Sequence, residues 1–280
     1  MTNFLSFLRG LRNTTVGHNI TLSAAVWYTP WLDSSGYPSK NVSDFSQVLD
    51  FVTIMNYDIA SNSSFGAGPS SPLDDSCAPV SAQRSSAKSA VSAWTASGFP
   101  KNQLVLGVPS YGHSFSILPG SGQSTSALPL YPPYSTIKVH GDKWDSYENA
   151  TDVCGVQVGA GGTYEYWGLM QGGFLNPDGS PQAGIQYRFD NCSKTVRPPQ
   201  LGRLFCLMAG VVSFQPFVYN ATSKIYVSYE NPESFAYKGE YIRAAGLRGF
   251  SMWEVGGDYK DALLDSISES CFTLLGKHHS

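Results

Sequence analysis

Phe51-Val-Thr-Ile-Met-Asn-Tyr57-Asp58 decides the fold. An apolar run this short, rich in β-branched residues and closed by polar ones, reads as a strand buried in a sheet. A short helical stretch near 42–48 leads into it, and a Ser/Gly/Pro loop follows through Pro72. Working outward, two stretches of the same kind flank it: Asn19-Ile-Thr-Leu-Ser-Ala-Ala-Val-Trp27 upstream and Leu104-Val-Leu-Gly-Val-Pro-Ser-Tyr111 downstream. A fourth, Leu247-Arg-Gly-Phe-Ser-Met-Trp253, lies near the end. Between them come helical patterns: Phe4, Leu5, Leu8 and Leu11 at helical spacing, 81–97 closed by Gly98, 233–245 stopping at Gly246, and 259–271. Repetition of helix, strand and polar loop predicts a parallel sheet with crossover helices. Functional residues in such a sheet gather at the C-terminal ends of the strands. Those ends carry Trp27, Tyr57-Asp58, Tyr111 and Trp253. The plainer reading is that these rings cap the core.

Composition narrows the ligand class. Only 14% of the 280 residues are charged, 18 basic against 21 acidic, for a net charge of -3. A chain so poor in Lys and Arg has no electrostatic footprint for a phosphate backbone, which argues against nucleic-acid binding. No apolar run reaches the length of a membrane span, so no membrane partner is expected. Aromatics make up 13% of the chain, which suits stacking on neutral ligands such as sugars, though rings also fill cores. The segment 116–231 breaks the alternation, being Gly- and Pro-rich with short strand-like pieces. It reads as an α+β insertion, leaving 1–115 and 232–280 for the parallel sheet.

Seven of the twelve Asn residues (Asn13, Asn19, Asn41, Asn62, Asn149, Asn191, Asn220) begin an Asn-x-Ser/Thr sequon. That excess points to a secreted, glycosylated history. The N-terminus has no signal peptide: Arg9 and Arg12 interrupt an amphipathic helix, so the chain is expected to begin inside a domain. Five cysteines (Cys77, Cys154, Cys192, Cys206, Cys271) fit an oxidising compartment with one left over. Among the histidines, His18, His140, His278 and His279 show no ligand spacing on a shared element. Neither a metal nor any other cofactor is expected.

Four segments recur, in this order, in one family. Ile54-Met-Asn-Tyr57-Asp58, Gly107-Val-Pro-Ser-Tyr111-Gly112, Pro216-Phe-Val-Tyr-Asn220 and Gly249-Phe-Ser-Met-Trp253 resemble the family 18 glycoside hydrolases, and the whole chain looks like a fungal secreted chitinase. The resemblance implies a (β/α)8 TIM barrel with an α+β insertion before the eighth strand. The strands found here would be the fifth to eighth, a partial barrel. It also implies chitin or chitooligosaccharides, polymers of β-1,4-linked N-acetylglucosamine, as ligand, cleaved with retention by substrate assistance: the sugar's own N-acetyl oxygen attacks the anomeric carbon. Tyr57 would hydrogen-bond that oxygen, and Asp58 would belong to the polar network beneath the sugar. Met55 would line the floor and Trp253 would be the platform under the ring. Tyr111 and Trp27 would line the cleft, and Glu165 could reach substrate hydroxyls. Ordinary barrel packing is the competing reading for Met55 and Tyr111.

One departure bears on mechanism. The family carries its general acid in a D-x-x-D-x-D-x-E motif, and no such spacing occurs in these 280 residues. Asp258, Asp261, Asp265 and Glu269 step by three and four instead, as one solvated helix face does. General acids contribute about 10²–10⁴-fold to rate, so no turnover is expected from this chain. Two readings follow: a chitinase relative of which the second half is present, or a non-catalytic chitooligosaccharide-binding protein. His113 also stands where the family commonly has Arg.

Three further expectations can fail. A half barrel leaves open parallel edges, which predicts self-association through them or a poorly cooperative melt. Residues 196–215 read as a retained intron, because the flanking text is continuous with the family pattern once they are excised; the plainer reading is a genuine apolar strand or helix from Leu204 to Phe214. That stretch should then be loosely packed. The family also often has a cis bond after the last-strand Trp, so one is expected at Trp253-Glu254.

Overall fold

The computed structural model describes residues 1–59, 66–120, 128–145, 150–190 and 213–272. In chain order the elements are α1 (Thr2–Arg12), α2 (Thr15–Asn19), β1 (Ser23–Val26), β2 (Phe51–Met55), α3 (Ala87–Ala96), β3 (Leu104–Pro109) and β4 (Tyr111–Ser116). The small strands β5 (Ala150–Thr151), β6 (Gln157–Val158) and β7 (Thr163–Glu165) follow, then α4 (Tyr166–Gln171) and β8 (Ile185–Phe189). The chain continues through β9 (Pro216–Asn220), β10 (Ile225–Ser228), α5 (Pro232–Ala245), β11 (Gly249–Trp253) and α6 (Ala262–Phe272).

Four strands form one sheet in the order β1-β2-β3-β11, and every pairing in it is parallel. This is the α/β arrangement expected from the sequence. Its two faces differ. Val52, Ile54, Leu104, Leu106 and Val108 are buried on the helix-covered face, where α1 and α3 supply Leu8, Val91 and Trp94 to the clusters. The register puts Thr53 and Met55 beside Val105 and Gly107 on the other face, with Ser251 and Trp253 of β11. Ser23, Ala25, Ser251 and Trp253 are exposed there. A second sheet, antiparallel, runs β7-β4-β10-β9-β8, and β5 pairs only with β6.

Local chemistry shifts several element ends. The first strand begins at Ser23 and not Asn19, because the Thr14 side chain accepts the Gly17 N–H at 2.9 Å and starts α2. Helix α3 begins at Ala87, where Ser86 and Ser89 cap each other's backbone, and 80–82 is a separate 3₁₀ turn. The run Leu104–Tyr111 is two strands: Ser110 N donates to the Trp253 carbonyl at 2.9 Å, while Tyr111 pairs with Glu165 in the second sheet. Helix α5 starts on Asn231 with Pro232 in its first turn and stops on left-handed Gly246, φ 70°.

The carboxylate series near the end is not one helix face. Asp258 lies ahead of α6 and accepts the N–H groups of Leu263 and Leu264 at 3.0–3.1 Å, so it caps the helix. Residues 196–212 of the suspected intron lie outside the described residues. The last three, 213–215, are well packed, contrary to the loose packing expected. Gln215 is fully buried, its side chain accepts the Ser71 N–H at 2.9 Å, and Phe214 packs on Tyr237 with ring centroids 4.2 Å apart. Burying a polar Gln requires such partners. Of the sequons, Asn13, Asn19 and Asn41 are exposed and Asn220 half-buried; Asn62, Asn149 and Asn191 lie outside the described residues. Cys77 is disulfide-bonded, while Cys154 and Cys271 are free.

Candidate active site

The parallel sheet brings its C-terminal ends to one edge, and the candidate residues meet there. Gly107 sets the spacing between β2 and β3: a Cβ on it would stand 2.5 Å from the Ile54 carbonyl oxygen and 3.2 Å from Tyr57 Cε1. With only hydrogen there, the Tyr57 ring lies over the strand and packs edge-on against Tyr111, centroids 6.2 Å apart. Burial and the neighbouring Asp58 charge both raise the Tyr57 pKa, so its phenol keeps its proton and can donate.

Asp58 takes a left-handed backbone, φ 60°, which turns its carboxylate toward β4. Its Oδ1 accepts the Tyr111 hydroxyl at 2.8 Å and contacts His113 Nε2 at 2.7 Å. Burial works against the Asp58 charge, but the His113 contact, the Tyr111 hydrogen bond and the Lys138 charge outweigh it and hold the carboxyl below its ordinary range. His113, which the sequence marks only as a departure from Arg, is thus a direct side-chain partner of Asp58. Tyr111 is pushed well up by burial and by the Asp58 charge.

A buried relay supports the strand just ahead of Tyr57. Glu230 and Lys238 pair at 2.6 Å with no solvent exposure. Lys238 Nζ also donates to Ser71 Oγ at 2.8 Å, and that hydroxyl donates to the Asn56 carbonyl at 2.5 Å. Sequence reasoning missed this relay, since its members are scattered along the chain and only the fold assembles them.

Across the edge stands Trp253, 61% exposed, followed by a cis peptide to Glu254 as expected. Trp27 ends the edge at β1, also exposed, with its ring 4.6 Å from that of Tyr28. Met55 is half-buried on the same sheet face as Trp253. Glu165 enters from the second sheet and is buried beneath the turn after Trp253. A Cβ on Gly257 would come within 2.0 Å of its Oε2. That oxygen has no hydrogen-bond partner. Burial, and then the charges of Asp142 and Glu254, push Glu165 up to about 8 against the pull of a Ser110 hydrogen bond. The site therefore joins an exposed ring, protonated phenols, one charged carboxylate and one neutral carboxyl. Among the described residues, no cluster of three or more His, Cys, Asp or Glu could hold a metal ion, and no helix is long and apolar enough to cross a membrane.

The sequence model of glycosyl hydrolases family 18 matches residues 1–258. The chain belongs to this family. It is 41% identical over 268 residues to a chitinase-like effector of Moniliophthora perniciosa, covering 95% of this chain and 56% of that protein. A crystal structure of a chitinase from Rhizomucor miehei is similar at TM-score 0.78 and 26% identity, covering 96% of this chain and 66% of that one. The class V chitinase of Nicotiana tobaccum, solved in complex with NAG4, shares the fold at TM-score 0.66 and 20% identity, over 98% of this chain and 64% of its own. The chain spans little more than half the length of the curated relatives it matches.

Proposed function

We propose that these 280 residues bind β-1,4-linked N-acetylglucosamine oligomers along the C-terminal edge of the parallel sheet without cleaving them. The observation that carries this reading is the convergence of Trp253, Tyr57 and the Asp58–Tyr111–His113 cluster on that edge in a family 18 chain. An exposed indole gives a sugar's apolar face a platform at little entropic cost, since the side chain has few rotors. Tyr57, kept protonated, donates to the N-acetyl oxygen. Asp58, kept charged, accepts from the amide or from hydroxyls. Met55 forms the floor, with Tyr111 and Trp27 as walls; Glu165, expected to reach substrate hydroxyls, lies buried beneath the turn after Trp253 instead and underlies the platform without touching the sugar.

Hydrolysis by substrate assistance needs a proton for the leaving oxygen, and the sequence offers no D-x-x-D-x-D-x-E from which to give it. Turnover therefore requires an acid from outside these residues. We read the four parallel strands as half of a barrel, with 116–231 as the insertion and 1–115 and 232–280 as the barrel part. The seven sequons favour an extracellular setting.

Calorimetric titration with chitotetraose tests the reading. Trp253→Ala should weaken binding by roughly tenfold. Equal affinity in wild type and variant would refute it.

A further inference from the structure

We propose that Trp144 of the 116–231 segment and Glu254 of the turn after β11 form a second sugar subsite, which takes the next N-acetylglucosamine unit of an oligomer seated on Trp253. The inference rests on the binding reading above and extends it. Trp144 is 54% exposed, yet its surroundings are built and rigid. Its backbone N–H donates to Asp142 Oδ1 at 2.8 Å. The other Asp142 oxygen accepts the Glu165 N–H at 2.6 Å. Asp145 closes the same turn by accepting the N–H groups of Gly141 and Gly162 at 2.8 and 2.9 Å. Both carboxylates are buried. Four such bonds fix the backbone that carries Trp144.

The ring is then wedged at the turn after Trp253. Its centroid lies 5.0 Å from that of buried Trp167, edge-on at 76°, and Trp167 Nε1 donates to the Gly256 carbonyl at 2.9 Å. A Cβ on Gly256 would stand 2.9 Å from Trp144 Cη2. Gly256 has no left-handed backbone to explain its glycine, so the space it leaves serves the Trp144 ring. The same point lies 3.6 Å from Glu254 Oε1. An exposed, immobilised indole with a solvent-facing carboxylate beside it is the chemistry that recognises a sugar ring: the apolar face stacks and the hydroxyls donate. An indole needed only to cover Trp167 would bury its own surface, and more than half of Trp144 remains open. Gly256 is three residues beyond Trp253, so the Trp144 ring stands against the turn that directly follows the first platform.

Titration of the 280-residue chain with N-acetylglucosamine oligomers from dimer to hexamer decides the matter. Trp144→Ala should lower hexamer affinity roughly three- to tenfold, with the loss shrinking toward the dimer. Trp253→Ala should weaken every length. Trp144→Phe should keep most of the hexamer affinity, which separates stacking from a fold defect, and Phe7→Ala, exposed on α1, serves as the surface control and should match wild type. Hexamer affinity of Trp144→Ala within twofold of wild type, or a loss equal at all lengths, overturns the second subsite and leaves the Trp253 reading standing. An equal loss in Trp144→Phe and Trp144→Ala overturns it too. Absence of binding by wild type at every length overturns both.

Discussion

Glu165 should titrate near pH 8, first because it is buried and then because of its neighbours. It is buried under Gly257, with Asp142 and Glu254 adding negative potential and only the Ser110 hydrogen bond favouring the charge. A midpoint of about 8 leaves roughly nine in ten of these carboxyls protonated at pH 7, against fewer than about one in a hundred for an ordinary glutamic acid. The folded-state value lies above the unfolded one, so protonated Glu165 adds stability that is complete below about pH 4.5 and is lost as pH rises through about 8. The assay is a carbon-13 titration of glutamate carboxyls between pH 4 and 10, with Glu165→Gln identifying the resonance. Glu254→Gln removes one like charge and should move the midpoint down by about half a unit. Glu165→Gln should also abolish the stability loss between about pH 4.5 and 8. A wild-type midpoint below pH 6, or one that Glu254→Gln leaves in place, would refute the reasoning.

Other perturbations test other links. Gly107→Ala should push β2 from β3 or displace Tyr57, costing about 1–3 kcal/mol in a urea titration, together with a loss of sugar affinity. Lys238→Ala strands the Glu230 carboxylate in the core and should cost about 3–5 kcal/mol; a cost below about 1 kcal/mol would show that the buried relay does not hold the strand ahead of Tyr57. His113→Ala removes the side-chain partner that helps lower the Asp58 pKa, so the Asp58 midpoint should rise toward its ordinary value. The stability which the lowered Asp58 pKa supplies above that value, and which fades as the solution is acidified, should shrink with it. Size-exclusion chromatography at micromolar concentration should show dimers or larger species, because β1 and β11 each end the sheet. A sharp monomer peak with a cooperative melt would contradict that.

Much of this was legible in the sequence because strand-end residues declare themselves. Short β-branched runs ending in Tyr57-Asp58, Tyr111 and Trp253 gave both the parallel sheet and the members of its edge. Glu165 was the least grounded of the expected residues, and the register Tyr111 to Glu165 is what brings it in. Besides the Glu230–Lys238–Ser71 relay, three things were not legible. Element starts moved because side-chain caps at Thr14 and Ser86 outrank an apolar pattern. His113 and Asp58 are 55 residues apart, and nothing in local spacing announces a pair closed by tertiary packing. Trp144 carried no signal beyond its place between Asp142 and Asp145, whose capping role needs the fold to be seen.

The central claim is binding without cleavage, and one sample can test both halves. Chitohexaose is mixed with the 280-residue chain, the heat of binding is recorded, and the sugars are then weighed by mass spectrometry after overnight incubation. Saturable heat with intact hexamer is the predicted result. Shorter oligomers that appear with wild type and vanish with Tyr57→Phe would contradict the account, as would the absence of any heat.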